Sequence, residues 1–299
     1  MEILLTGGTG LLGRALCEAL RNQGHRLCVL SRHPHRVSAL CGEDVHALRS
    51  LDEWLPTMHF DAVINLAGAP LVDRPWSAAR KQVLWASRVG LTEQLVTAIN
   101  RAEHKPAVLL SGSAIGYYGD CGEASCSDAS DATSAQDFGA RLCAAWEASA
   151  RRAEAAGLRV CLLRTGLVLA RDGGLLARMR LPFSLGLGGR MGDGRQWMSW
   201  IQREDWLAAV LHLLQDDAAR GAYNLVSPQP LRNSDFTTAL AAALHRPAIL
   251  PMPDFALRLI FGERAYLLLG GQRVLPDRLL ANQFTFRHAD IAEALEVSL

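Results

Sequence analysis

The chain has 299 residues, 49% hydrophobic and 20% charged, with Lys+Arg 31 against Asp+Glu 30 and a formal charge of +1. That length suits one large α/β domain plus a smaller lobe. An even balance without a basic block speaks against a nucleic-acid surface, and no apolar run reaches the roughly 18 residues needed to span a bilayer.

Ile3 to Leu5 reads as a buried strand, followed by the turn Thr6-Gly7-Gly8-Thr9-Gly10-Leu11-Leu12-Gly13. Leu12, Ala15, Leu16, Ala19 and Leu20 then recur at helical spacing, and Gly24 stands where a helix ends. Between a strand and a helix the glycines have physical tasks. Gly7 permits a tight turn, Gly10 lets backbone approach a pyrophosphate, and Gly13 lets helix and strand pack closely. The helix N-terminus adds free N–H groups and a positive dipole end for phosphates. Because this turn begins at residue 6, a preceding targeting peptide is not expected. Arg26 to Leu30 is the second strand, ending in Ser31-Arg32. An acidic residue there would hold the ribose 2′-OH of NAD, whereas hydroxyl plus guanidinium suits the 2′-phosphate of NADP. NADP(H) is the expected cofactor.

A short strand at Val45 to Leu48 and a helical turn at Asp52 to Leu55 precede the strand Asp61-Ala62-Val63-Ile64-Asn65, whose end Leu66-Ala67-Gly68 can pass under an adenosine. Trp76 to Glu103 predicts a long helix, with Arg88 and Thr92 facing either the cofactor or solvent. Ala107 to Leu110 is the next strand and runs into Ser111-Gly112-Ser113-Ala114-Ile115-Gly116-Tyr117-Tyr118. Hydroxyls at the carboxyl edge of a parallel sheet lie where such sheets bind ligands. Residues 120–135 read as a lid or a plain surface loop. Asp137 to Ala156 is a helix and Arg159 to Leu163 a strand, closing on Arg164-Thr165-Gly166.

This alternation predicts a doubly wound parallel sheet in residues 1–165, to which later segments can return. Residues 166–299 read as a substrate lobe, with a C-terminal extension from about 250. Residues 171–195 are rich in glycine, and the run 186–194, with Gly188-Gly189-Arg190 and Gly194-Arg195, suggests a hinge or an anion nest. Asp205 is expected to cap a helix at 206–216, and Asn233 or Ser234 one running to His245. A last amphipathic helix starts at Asp290. Seven cysteines, at 17, 28, 41, 121, 126, 143 and 161, show no C-x-x-C pair and no metal-ligand spacing. Reduced thiols in apolar segments point to the cytoplasm.

The turn T-G-G-T-G-L-L-G, the run D-A-V-I-N-L-A-G and the strand end S-G-S-A-I-G-Y-Y-G resemble an extended short-chain dehydrogenase/reductase. Leu163 to Leu169, Pro182 to Gly189, Gly194-Arg195-Gln196 and Gly270 to Arg273 narrow this to the atypical YfcH-type epimerase-family proteins. The resemblance implies a Rossmann fold binding NADP(H), with a short C-terminal domain of unknown function. By position it places Thr9, Gly10, Leu11 and Leu12 at the pyrophosphate, Ser31 and Arg32 at the 2′-phosphate, Leu66 and Ala67 near adenosine, and Arg88 in the cleft. Ser113 matches the active-site serine. The Tyr-x-x-x-Lys pair does not match: Phe138 and Leu142 hold those positions. Two readings follow. One is an NADP(H)-dependent oxidoreductase or epimerase-like enzyme acting on an undetermined small molecule, with Tyr117 or Tyr118 as proton donor beside Ser113, and Arg164 near the cofactor. The other is a non-catalytic NADP(H) sensor that signals to a protein partner through residues 120–135.

Overall fold

A computed structural model describes residues 1–132 and 137–299. Seven parallel strands form the central sheet: β1 Glu2–Thr6, β2 Arg26–Leu30, β3 His46–Leu48, β4 Ala62–Asn65, β5 Val108–Ala114, β6 Arg159–Thr165 and β7 Gly221–Leu225. Their spatial order is 3-2-1-4-5-6-7, so the winding reverses beside β1, between it and β4. The helices of eight or more residues are α1 Leu11–Asn22, α2 Ala78–Trp85, α3 Leu91–Arg101, α4 Phe138–Arg151, α5 Gly174–Ser184, α6 Arg203–Gln215, α7 Asn233–Ala243, α8 Asp254–Phe261 and α9 Ile291–Ser298. The fold is the doubly wound, Rossmann-type α/β architecture.

Alternation along each strand explains the two layers. Ile3 and Leu5 of β1 point to one face, where they meet Leu16 and Leu20 of α1 and Trp206, Val210 and Leu213 of α6. Leu4 points to the other, with Val63, Leu109 and Leu162 against Leu95 and Ile99 of α3 and Ala150 of α4. With both faces covered, strands of near-continuous aliphatic sequence are what a parallel sheet requires. The chain returns to this sheet after residue 166, because β7 pairs in parallel with β6 from Gly221↔Cys161 to Leu225↔Thr165.

Local capping differs from expectation in two places. Asp205 is fully buried and accepts from the backbone N–H of Arg287 and His288 at 2.8 and 2.9 Å, clamping a late segment. The α6 cap is Gln202, whose side chain accepts from the Glu204 N–H. Asn233 is buried and accepts from the Met191 N–H at 2.8 Å, and neither it nor Ser234 caps α7. A carboxylate or amide that can cap a helix can equally bind distant backbone, and spacing alone does not separate the two. The glycine-rich stretch also contains α5, with Pro182 near its end.

The C-terminal segment docks on α4 through Tyr266, whose ring lies 5.8 Å from Trp76. A Cβ built at Gly139 falls 1.9 Å from the Tyr266 hydroxyl. Burial, followed by the Asp137 carboxylate, raises the phenol's pKa. In an exposed helix, alanine at Gly139 would gain about 1 kcal/mol of propensity. Here overpacking against a wedged ring costs about 1–3 kcal/mol and wins. Gly139→Ala is therefore expected to lower stability and to make residues 250–299 easier to cleave in limited proteolysis; wild-type resistance would refute the wedge.

No helix among the described residues is long and apolar enough to cross a membrane. Among them, no group of three His, Cys, Asp or Glu side chains gathers as a metal site.

Candidate functional site

Two clusters sit at the carboxyl edge of the sheet. The first surrounds the switch between β1 and β4. Gly7 has φ 75°, and a Cβ there would meet Leu66 C and Ala67 N at 2.7 and 2.8 Å. The turn after β1 therefore rests on the turn after β4. The Gly10 N–H donates to Gly7 O at 3.0 Å, and Gly10 then caps α1 without any side-chain acceptor. The first-turn N–H groups of Leu11, Leu12 and Gly13 thus carry no side-chain cap, and the positive helix end opens on the crevice beside Thr9. Beneath it, Thr6 Oγ1 donates to Asn65 Oδ1 at 2.6 Å, and Asn65 Nδ2 donates to Thr92 Oγ1 at 2.8 Å. Thr92 is fully buried in this network, so it faces neither solvent nor the crevice.

The long helix has a π turn at Ala86–Gly90, between α2 and α3, that carries Ser87 and Arg88. Ser87 Oγ accepts from the Ala69 N–H at 3.0 Å, and Arg88 Nη1 donates to Ala69 O at 3.0 Å. The Arg88 guanidinium lies against Gly68 and 5.4 Å from the Trp146 ring centroid, and burial lowers its pKa. Such single π turns recur at functional sites because they turn adjacent side chains to one face. At the end of β2, Ser31 Oγ accepts from the His33 N–H at 3.2 Å. Arg32 is exposed and has no ion-pair partner among the described residues.

The second cluster lies at the ends of β5 and β6. Ser113 Oγ donates to Glu147 Oε1 at 2.7 Å. Arg164 donates to both Glu147 oxygens, Nε at 2.8 Å and Nη2 at 2.9 Å, and through Nη1 to the Tyr118 hydroxyl at 2.8 Å. Both charged side chains are 3% exposed. Arg164 thus stands with Ser113 and Tyr118 rather than with the residues of the first cluster. Burial opposes its charge, but the Glu147 carboxylate outweighs that, and its pKa rises. Tyr118 is fully buried and donates to Asn224 Oδ1 at 2.7 Å. Burial pushes its phenol up to about 12. Tyr117 is half-buried, with the Arg164 guanidinium 3.7 Å from its ring centroid.

Glu147 and Asp128 are the residues that spacing did not single out. Glu147 had a readable signal, a carboxylate on the buried stripe of α4 between Cys143 and Ala150. Asp128 had none. Its oxygens accept from the N–H groups of Asn224 and Arg278, and burial raises its pKa. With Ser125–Cys126 paired to Arg273–Val274, it ties down the described part of 120–135; residues 133–136 lie outside the described residues. Phe138 and Leu142 are buried with Trp76, Leu84 and Trp146.

The model of the NAD dependent epimerase/dehydratase family matches residues 3–225, and that of a Domain of unknown function (DUF1731) matches residues 252–297. The chain is 41% identical over 301 residues to Epimerase family protein Mb2239 of Mycobacterium bovis, covering 98% of this chain and 96% of that one. It is 36% identical to the chloroplastic SDR39U1 homolog of Arabidopsis thaliana, over 99% of this chain and 86% of that one. Among solved structures, human epimerase family protein SDR39U1 with NADPH superposes with a TM-score of 0.90 at 32% identity, covering 100% and 99% of the two chains. UDP-glucuronic acid 4-epimerase from Bacillus cereus shares the fold, with a TM-score of 0.80 at 16% identity over 100% and 98%. The glycine turn, the reversal beside β1 and the full-length matches agree, and the chain belongs to the NAD dependent epimerase/dehydratase family.

Proposed function

We propose that this chain is an NADP(H)-dependent oxidoreductase or epimerase-like enzyme that binds a small carbonyl compound between residues 1–165 and the lobe 166–299. The observation that carries the reading is the uncapped α1 N-terminus, closed against Leu66 and Ala67. It fits a pyrophosphate, with Gly7, Thr9, Gly10, Leu11, Leu12 and Gly13 as its cradle and Gly68 and Arg88 on the far wall. The free Arg32 beside Ser31, with no carboxylate at the end of β2, suits a 2′-phosphate. The NADPH in the human relative's structure supports the same choice. A bound nicotinamide would supply or accept a hydride.

The proton donor is Tyr117. Its hydroxyl has no hydrogen-bond partner among the described residues, whereas Tyr118 is committed to Asn224 and held protonated. Ser113 gives its proton to a carboxylate, which is acceptor-only, so it presents lone pairs and orients a substrate hydroxyl rather than a carbonyl. Arg164, committed to Glu147, supports this edge from below rather than touching the cofactor. Buried thiols, all but Cys121, suit a reducing cytoplasm. The burial of Phe138 and Leu142 favours the second reading, a sensor that holds NADP(H) without turnover.

Fluorescence titration tests the first step. NADPH is expected to bind more tightly than NADH, and Arg32→Ala to weaken NADPH by roughly 10–100-fold, the size of one or two charged hydrogen bonds. Failure of both cofactors to bind would sink both readings. If they bind, Tyr117→Phe should keep wild-type affinity while slowing NADPH oxidation by carbonyl compounds about 10²–10⁴-fold. Binding without any turnover across a carbonyl panel would decide for the sensor.

A further inference from the structure

Two thiols meet beside the second cluster, in the segment that follows Tyr118. The chain folds back at Cys121-Gly122-Glu123-Ala124, where the Ala124 N–H donates to Cys121 O at 3.0 Å. Cys126 then lies in a short strand: Ser125–Cys126 pairs in parallel with Arg273–Val274, and the Leu275 N–H donates to Cys126 O at 3.0 Å. The turn brings the sulfurs together. Cys126 Sγ donates to Cys121 Sγ at 2.8 Å, and Cys121 Sγ to Tyr118 O at 3.5 Å. Cys126 is 4% exposed, whereas Cys121 is half-buried; the other five cysteines are all buried.

We propose that Cys121 and Cys126 are a reversible redox pair, closed to a disulfide by a hydroperoxide, which latches the turn carrying Tyr117 and Tyr118 to the C-terminal segment. Proximity is the first argument. A disulfide holds its sulfurs at ~2.05 Å, so these two have less than about 1 Å to close, with backbone hydrogen bonds already fixing both ends. Placement is the second. Cys121 and Cys126 share one apolar cluster with Tyr117, Tyr118, Val226 and Val274, so a bond between them stiffens the ground on which Tyr117 stands.

Exposure divides the roles. The Cys121 thiolate, which solvent reaches, attacks one peroxide oxygen; the O–O bond breaks and the leaving oxygen takes a proton and departs as alcohol or water. Cys121 is then a sulfenic acid. Cys126, buried behind it, attacks that sulfur, the S–O bond breaks, the S–S bond forms and water leaves. Two thiols and one hydroperoxide thus give a disulfide, an alcohol and a water, with sulfur oxidised and the peroxide reduced. Burial, with Cys126 alongside, raises the Cys121 pKa. Because only the thiolate attacks, the pair stays open under passing exposure and closes under sustained oxidation.

Peptide mapping of the full chain after prolonged treatment with hydrogen peroxide tests the proposal. The tryptic peptide from Ala102 to Arg141 holds these two cysteines, no other cysteine and no methionine. Denatured in N-ethylmaleimide, it should carry two labels before oxidation. Afterwards it should carry none and weigh about 2 Da less than the dithiol, the two hydrogens that a disulfide lacks. Dithiothreitol should restore both labels. The oxidised wild type should melt roughly 3 °C higher, the size expected for closing so short a loop in a chain of this length, and dithiothreitol should reverse the rise. Cys126→Ser should gain no stability, and its Cys121, with no thiol to resolve it, should go on to sulfinic acid. A wild type that keeps both thiols, or that ends with sulfinic acid at Cys121 and Cys126 free, would overturn the pair. A disulfide that leaves Tm unchanged would overturn the latch. None of these outcomes depends on the enzymatic reading.

Discussion

Glu147→Ala is expected to lower the stability of the chain by about 3–5 kcal/mol, the cost of leaving a buried charge without its partner. Arg164 meets Glu147 through two of its nitrogens, and each side chain is only 3% exposed. Water cannot replace the lost carboxylate without opening the end of β6. For a chain of this size the shift in Tm is roughly 5–8 °C. The pair itself contributes less than this, because its own desolvation offsets most of the attraction. The double variant Glu147→Leu/Arg164→Met should therefore be more stable than Glu147→Ala. Differential scanning calorimetry of both variants checks this. A shift under about 2 °C for Glu147→Ala, typical of a surface substitution, would mean that the guanidinium escapes to solvent.

This pair also shows where sequence reasoning stops. The β1–α1 turn and the apolar strands are local or periodic, so residue spacing carries them. Arg164 and Glu147 are 17 residues apart and meet only because α4 packs over β5 and β6. Asp128 reaches Asn224, 96 positions away, and Arg278, 150 away. No local pattern distinguishes such a carboxylate from a solvated loop residue. The same ambiguity misassigned Asp205, whose short polar side chain suits a helix cap as well as the distant backbone it binds. Helix α5 was hidden for a different reason: Gly174 and Pro182 lower helical propensity, and packing of Leu176 and Phe183 overrides it. Conversely, Phe138 and Leu142 drew notice because the resemblance sets a tyrosine and a lysine at their positions. The structure packs both in an apolar cluster with Trp76.

Gly13→Ala is expected to weaken NADPH binding roughly 100-fold, the loss of two hydrogen bonds to a charged group at about 1.5 kcal/mol each. By propensity alone, alanine inside α1 would be favoured over glycine by about 1 kcal/mol. Packing reverses the sign. A Cβ built at Gly13 falls 2.1 Å from Gly7 O and 2.7 Å from the Gly8 Cα, both backbone atoms of the turn itself. Neither can swing aside as a side chain would, so α1 and the turn must part. The first-turn N–H groups then no longer converge on one phosphate position. Gly24→Ala is the control. Gly24 has φ 79° and open space around its Cα, so alanine there strains the backbone by about 1 kcal/mol and touches nothing at the crevice. It should lower Tm and leave the cofactor titration unchanged. Calorimetric titration of both variants separates the two effects. Wild-type affinity in Gly13→Ala would mean that the α1 N-terminus is not the phosphate cradle, whatever else the crevice holds.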